Sequence, residues 1–347
     1  MLARPLIQPL LARGGRHARS TAVYRTPQRS ACTVAAVGPL LSSANLAQYA
    51  ADGFTIPERR LSAGYVNRLR DALDELLRRN PGKRPEQLVS IHNTDGGAGR
   101  ENAEGVVGSA VFRELCEEPA ILDCVEQILG PGIILWGCQV FCKPGDDGMA
   151  VPMHQDGHYW PIRPLATCTV WVAIDDSDAE NACLRVVPGT HKHADAGPNN
   201  MPQIEHYKSD EEHIVLNQTV VEGSYDEADA VDVELEAGQF SMHDVNRACC
   251  AAAAAAAARV DAAPLLLALT PPPAVLHGSE SNTSGKRRAG VAIRYMPSTS
   301  EFVRGAVTVN DDGDGGKAGA GYKVDFSTRP LWLLRGEGGV NDFEVGK

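Results

Sequence analysis

The 347-residue sequence has no Cys-x-x-Cys pair, although it contains nine cysteines. An odd number of cysteines without such pairs argues against a disulfide framework or a zinc ribbon, and it favours a reducing compartment. Long apolar runs are also absent, so we expect no membrane-spanning helix. Hydrophobic residues nevertheless make up 43% of the chain, which is enough for the core of one large domain.

Acidic residues are missing from residues 1–51, which contain six arginines and no lysine. The rest of the chain carries 27 basic and 44 acidic side chains, a net charge of −17. Phosphate contacts need lysine and arginine, so an acidic body without a basic groove argues against nucleic-acid binding. We therefore expect no nucleic-acid partner.

The basic leader has the composition of an organelle transit peptide, because it is rich in arginine, alanine and serine and has no acids. A mitochondrial address is favoured over a plastid one, since a short amphipathic helix can form around Leu2, Leu6 and Leu10. A disordered basic tail on a cytoplasmic protein is the alternative. The chain ends in Lys347 and not in a peroxisomal signal of the Ser-Lys-Leu type.

Two stretches have apolar residues at helical spacing, and we expect one helix to end at Asn80 and another at Gly130. Shorter apolar runs follow and predict strands at 133–143, 166–174, 184–187, 231–235, 239–243 and 289–296. Helices followed by many short strands are typical of a mainly β fold with flanking helices, the double-stranded β-helix or jelly roll. We assign residues 1–45 to the leader and 46–347 to one catalytic domain.

Four polar residues form the pattern that is most specific to a chemistry. They are His154 and Asp156, then His277, and then Arg288 eleven residues further on. Residues two apart on a strand share a face, so His154 and Asp156 can bind one metal ion together. A distant histidine completes a site of two histidines and one carboxylate, which suits non-heme Fe(II), whereas structural zinc needs four protein ligands. Arg288 offers a planar cationic fork for the carboxylate of an iron-bound 2-oxo acid.

Longer segments around these residues are MHQDGHYWPIRP at 153–164, TVWVAIDD at 169–176, CLRVVPGTHK at 183–192, and His277-Gly278-Ser279 followed by Arg288-Ala289-Gly290. In this order they resemble the phytanoyl-CoA dioxygenase family, roughly over residues 54–343. The resemblance implies a jelly roll that uses Fe(II), 2-oxoglutarate and O2. It also implies that His154, Asp156 and His277 bind the iron and that Arg288 binds the far carboxylate of 2-oxoglutarate.

The same resemblance places Ser279, Trp171 and Gln139 in the 2-oxoglutarate pocket. Ser279 lies two residues after His277, so its hydroxyl faces the same interior. For Trp171 a purely structural role as a buried aromatic is equally plausible. The carboxylate of Asp156 argues against the related halogenases, which lack a carboxylate at that position.

Three other residues compete for these roles. His158 shares strand parity with the metal ligands, and we interpret it as a substrate-side residue, with a structural histidine as the alternative. His243 precedes the distal ligand in the family's pattern, and the spacing to Arg288 favours His277 as that ligand. Arg294 shares strand parity with Arg288 and is the rival for the 2-oxoglutarate carboxylate, but we expect a structural role for it.

A low-complexity segment at 247–274 interrupts the resemblance, with eight alanines from Ala251 to Ala258 and a Leu/Pro-rich end. Without it, Asn246 would run directly into Val275, as in the family. Leucine and proline triplets are what a pyrimidine-rich tract would encode, so we favour a retained intron over a genuine surface insertion.

These features predict an Fe(II)- and 2-oxoglutarate-dependent dioxygenase that hydroxylates an aliphatic carbon of a small molecule. The family's substrates include acyl-CoAs, osmolytes and natural products, and the residues at 158–161 favour an acyl-CoA or a related lipid only slightly. If the segment 247–274 is genuine, the alternative is a catalytically impaired metal-binding protein of the same fold.

Overall fold

A computed structural model describes residues 40–94, 102, 105–157, 159–192, 204–206, 218–220, 223, 225–244, 274–309 and 322–343. The leader up to residue 39, His158 and residues 247–273 of the predicted insertion lie outside this range. The predictions for those parts of the chain therefore stay predictions.

Four α-helices precede most of the strands: α1 (Ser43–Asp52), α2 (Ala63–Arg79), α3 (Ala110–Cys116) and α4 (Pro119–Leu129). Serine side chains at positions 42 and 62 cap the first turns of α1 and α2. The predicted helix ends are confirmed, since Asn80 and Gly130 are the C-caps of α2 and α4. Helix α1 crosses the predicted boundary between residues 45 and 46. Among the described residues, no helix has the length and apolar character needed to span a membrane.

Two antiparallel sheets form the body of the domain. The larger has six strands in the order β1-β10-β5-β12-β2-β16, and the smaller has four in the order β3-β11-β6-β9. The strands of the larger sheet are β1 (Phe54–Thr55), β2 (Ile133–Lys143), β5 (Cys168–Ala173), β10 (Phe240–Asp244), β12 (Arg288–Pro297) and β16 (Trp332–Arg335). Those of the smaller are β3 (Val151–Gln155), β6 (Leu184–Val187), β9 (Val231–Val233) and β11 (Leu276–Ser279).

Short strand pairs complete the described chain. They are β4 (Ile162–Arg163) with β13 (Glu301–Phe302), β7 (Ile204–His206) with β8 (Gln218–Val220), and β14 (Ala306–Val309) with β15 (Tyr322–Asp325). The predicted mainly β fold with flanking helices is confirmed, and strands β2 and β6 have the predicted bounds. The other predicted strands differ from the observed ones by one or two residues at their ends.

Successive side chains of the central strands point to opposite faces of the sheet, so the hydrophobic core has two parts. One set of alternate residues, including Val140, Val170 and Val291, packs against α2 and α4 on the outer face of the larger sheet. The other set faces the smaller sheet, where Trp171 and Ala292 meet residues of β6 and β9. Because successive side chains on a strand point to opposite faces, one strand can serve both the core and a cavity. The polar residues of the site lie on this second, inner face.

Candidate metal centre

The three predicted metal ligands come together on the smaller sheet. His154 lies on β3 and Asp156 follows directly after that strand, while His277 lies opposite His154 in the register of β11 against β3. The two imidazole centroids are 4.3 Å apart. The antiparallel pairing therefore joins residues that are more than a hundred positions apart in the sequence.

The donor atoms of this triad have the spacing of a metal site. Asp156 Oδ1 lies 3.6 Å from His154 Nε2, and Asp156 Oδ2 lies 4.0 Å from His277 Nε2. One donor atom from each of the three residues lies within 4.8 Å of the others, and all three residues are buried. Separations of this size allow one ion to reach all three atoms at ordinary bond lengths of about 2.0–2.2 Å.

Backbone carbonyls fix the orientation of both imidazoles. His154 Nδ1 is 2.8 Å from the carbonyl oxygen of Pro152, and His277 Nδ1 is 3.0 Å from that of Val275. A carbonyl oxygen only accepts hydrogen bonds, so each Nδ1 must carry the proton. Each Nε2 then keeps its lone pair for a metal ion, which is the arrangement found around metal-binding histidines.

The protonation states also suit a cation. Burial opposes ionisation of Asp156, but the imidazole of His154 and the positive charge of Arg294 hold its pKa below its usual range. Burial, together with the neighbouring His154 and His243, lowers the pKa of His277. The site therefore holds an ionised carboxylate and a neutral ligand histidine near neutral pH, and metal binding needs both forms.

Arg288 lies on the same cavity, where Ser279 is its polar neighbour. Its Nη2 donates to Ser279 Oγ at 3.3 Å, and its Nη1 is 3.5 Å from the carbonyl oxygen of Phe141. The guanidinium is 2% exposed and its Nε has no hydrogen-bond partner. No carboxylate pairs with it among the described residues. Burial lowers the pKa of Arg288 to about 10, so it stays protonated at neutral pH.

Trp171 forms one wall beside Arg288. The Arg288 Cζ lies 5.3 Å from the centroid of the indole ring. A Cβ placed on Gly290 would lie 2.0 Å from Cζ2 of Trp171, so only glycine at position 290 lets the ring approach the sheet this closely. The residues Arg288-Ala289-Gly290 thus provide both the cation and the space for the indole ring.

Lys143 supports the strand that carries His277. It lies opposite Arg288 in register, is fully buried, and its Nζ donates to the carbonyl oxygens of Ser279 and Glu280. Burial and the nearby charge of Arg288 lower the pKa of Lys143 to about 6. Lys143 does not line the cavity and acts on Ser279 through its backbone.

One cavity, lined by described residues, contains the whole candidate site. Its lining includes the triad, Arg288, Ser279 and Trp171, together with Phe141, Val151, Thr169, Leu184, His243, Gly278, Ala292 and Arg294. Gln139 is not among these residues, and its amide is 3.5 Å from the carbonyl oxygen of Glu86. Its predicted role stays a prediction, as does that of His158, which lies outside the described residues.

Two other lining residues, His243 and Arg294, have surroundings that the sequence did not indicate. His243 on β10 faces His277 across the gap between the sheets, with ring centroids 4.7 Å apart, and burial lowers its pKa to about 4. Arg294 lines the same cavity as Arg288, four residues beyond Gly290 on the inner face of β12. Strand parity identified this face for Arg294, but it did not indicate that its side chain would lie near Asp156. Arg287, the neighbour of Arg288, points to the opposite, outer face and bonds to Asp175 and Asp74 there.

A jelly roll with a buried centre of two histidines and one carboxylate is the architecture of the Fe(II)/2-oxoglutarate oxygenase class. A profile of the phytanoyl-CoA dioxygenase (PhyH) family matches residues 49–248, more than half of the sequence. The chain belongs to the phytanoyl-CoA dioxygenase family. The predicted family is thus confirmed.

Individual relatives cover less of the chain. The peroxisomal phytanoyl-CoA dioxygenase of Bos taurus is 30% identical over 167 residues, which are 45% of this chain and 49% of that protein. The chain spans about half the length of the curated relatives it matches.

Solved structures agree on the fold. The apo form of the non-heme monooxygenase ThoJ superposes with a TM-score of 0.55, at 21% identity over 85% of each chain. CytC3 with Fe(II) and alpha-ketoglutarate superposes with a TM-score of 0.50, at 18% identity over 87% of this chain and 91% of that one. At these identities the likeness shows the jelly-roll fold.

Proposed function

We propose that this protein is an Fe(II)- and 2-oxoglutarate-dependent dioxygenase that hydroxylates an aliphatic carbon of a small molecule. One observation carries the proposal: a single cavity holds the metal-ligand triad and the buried guanidinium of Arg288, which has no carboxylate partner among the described residues. A buried cation without a counter-ion destabilises the protein unless a ligand supplies the anion. Membership of the phytanoyl-CoA dioxygenase family supports the same assignment.

Each group of residues has a separate task in this function. His154, Asp156 and His277 would hold the iron and leave adjacent positions for the co-substrate and O2. Arg288 binds the distal carboxylate of 2-oxoglutarate, and Ser279 and Trp171 fix the guanidinium. The bound iron supplies the oxidising chemistry, in which 2-oxoglutarate becomes succinate and CO2 while a substrate C–H bond is hydroxylated.

Apolar side chains form part of the cavity wall and shield the surface that they cover from water. Phe141, Leu184 and Ala292 line the cavity from three different strands. A dry site strengthens the ion pair between Arg288 and the carboxylate and limits side reactions of the oxidant. For the substrate itself we propose a small molecule with an aliphatic target carbon, with an acyl-CoA or a related lipid or metabolite as one candidate.

Succinate formation tests the proposed activity. Purified protein with Fe(II), 2-oxoglutarate and O2 should release succinate slowly without substrate and faster with a suitable one, measured by mass spectrometry. Zn(II) is the matched control, because it occupies the same ligands but has no redox chemistry and should give no succinate. A protein that binds Fe(II) but forms no succinate from 2-oxoglutarate would instead be the catalytically impaired metal-binding protein.

The choice between an active dioxygenase and a catalytically impaired metal-binding protein depends on whether the native protein contains the segment 247–274. Strand β10 ends at Asp244 in the larger sheet and β11 begins at Leu276 in the smaller one. If the segment is removed, three residues remain between them, and such a link spans up to roughly 13 Å. Packed sheets lie roughly 10 Å apart, so the shortened chain can still connect the two strands. The match to the family also ends at residue 248, beside the start of this segment.

A peptide map of the protein from its own cells should contain a peptide that joins Asn246 to Val275. Abundant native peptides from within residues 247–274 would show that the insertion is genuine and would revive the impaired-protein alternative. The same map tests the leader, since import into a mitochondrion predicts a mature N terminus after about Ser30. An intact Met1 would contradict import. A plastid or cytoplasmic protein remains the alternative, and the bovine relative is named as peroxisomal.

A further inference from the structure

The cavity contains a second arginine, Arg294, that forms no ion pair with a carboxylate of the described residues. Arg288 and Arg294 both lie on the inner face of β12, six residues apart, and both line the cavity. At 3.3 Å per residue their backbones are roughly 20 Å apart, so one compact ligand group cannot bind both close to the strand. Arg288 lies beside Ser279 and Trp171, whereas Arg294 lies beside Trp160 and is near enough to Asp156 to lower its pKa.

The Arg294 guanidinium has few contacts with the described residues. Its Nε is buried without a hydrogen-bond partner, and no carboxylate forms an ion pair with it among the described residues. The ring of Trp160 lies beside the guanidinium, with its centroid 5.5 Å from the Arg294 Cζ. By contrast, Arg287 on the outer face of the same sheet forms ion pairs with both Asp175 and Asp74.

The charge balance of the site also indicates that Arg294 lacks a counter-ion. When the site is loaded, the positive charges of Fe(II) and Arg288 balance those of Asp156 and the two carboxylates of 2-oxoglutarate. The positive charge of Arg294, a partly buried residue of the cavity lining, is then left without a counter-charge. An anionic group on the substrate would remove this imbalance.

On the basis of the proposed function, we infer that Arg294 binds a carboxylate of the substrate, with Trp160 packing against the carbon atoms next to it. The guanidinium fork matches a carboxylate with two parallel hydrogen bonds, and Arg294 lines the same cavity as Asp156. The target carbon therefore lies within a few bonds of a free carboxylate. In an acyl-CoA this carboxyl group is a neutral thioester, which cannot pair with a guanidinium. The inference therefore favours free carboxylic acids over their CoA thioesters.

Calorimetry on the complete protein tests this inference. The protein is loaded with Fe(II) and 2-oxoglutarate under argon and titrated with linear carboxylates from butanoate to hexadecanoate, with the amino acids, and with the primary amides and CoA esters of each. We expect at least one carboxylate to bind about tenfold more tightly than its amide. Arg294→Gln should abolish that preference, and Arg294→Lys should restore part of it, because lysine keeps the charge but not the fork.

The matched control is Arg287→Gln, an arginine of the outer face, which should keep the preference for the carboxylate. If the wild-type complex binds no carboxylate more tightly than its amide, or if Arg294→Gln keeps the preference, the inference is wrong. A parallel loss of Fe(II) and 2-oxoglutarate affinity in Arg294→Gln would also overturn it, since Arg294 would then be a positioning residue for Asp156. A wild-type protein that forms no succinate refutes the proposed function instead, because carboxylate binding is measured without turnover.

Discussion

Replacing Asp156 by alanine is expected to abolish Fe(II) binding and the conversion of 2-oxoglutarate to succinate. Asp156 is the only anionic member of the triad, and its carboxylate lies between the two imidazole Nε2 atoms. Loss of a residue that merely orients a ligand already weakens metal binding by about 10- to 100-fold, so loss of a ligand should exceed that range. Anaerobic titration with Fe(II), followed by a succinate assay, measures both effects.

Asp71→Ala is the control, because Asp71 is an exposed aspartate on α2, far from the triad in the sequence. Asp156→Asn separates charge from shape, since it keeps the size of the side chain but removes the anion. His158→Ala should retain Fe(II) and mainly change how far substrate stimulates turnover. If His158→Ala loses iron while Asp156→Ala keeps it, the ligand assignment is wrong.

Replacing Arg288 by alanine is expected to weaken 2-oxoglutarate binding by about thirtyfold or more. Removal of one partner of a buried, hydrogen-bonded charge pair costs about 2–5 kcal/mol, largely because the other charge is left without compensation. Arg288→Lys should lie between wild type and alanine, because lysine has the charge but cannot form the bidentate contact. Titration of the Fe(II)-loaded protein with 2-oxoglutarate under argon measures the affinity.

Arg294→Ala provides the comparison in the same titration. Arg294 lies on the same face of the same strand, so this variant controls for the loss of a positive charge from the inner face of β12. We expect its effect on 2-oxoglutarate affinity to be much smaller than that of Arg288→Ala. A larger loss for Arg294→Ala would exchange the roles of the two arginines and would also contradict the inference that Arg294 serves the substrate.

Local patterns in the sequence predicted a large part of this structure. Apolar spacing identified α2, α4 and strands such as β2 and β6, because helices and strands impose periods of 3.6 and 2 on any chain that buries one face. The same period of two placed Arg288 and Arg294 together on the inner face of β12. Sequence motifs then identified the chemistry of the triad, because two histidines and one carboxylate with open positions are typical of non-heme Fe(II) oxygenases.

The tertiary structure alone decided which of these side chains meet. Strand register pairs His277 with His154, places His243 on the opposite sheet and leaves Gln139 off the cavity lining. Register depends on hydrogen bonds between strands distant in the chain, and a shift of one residue would turn every side chain to the other face. The contacts of the two inner arginines are also non-local, although both residues follow one strand pattern. Only the fold shows that neither forms an ion pair with a carboxylate of the described residues and that Arg294 lies near Asp156.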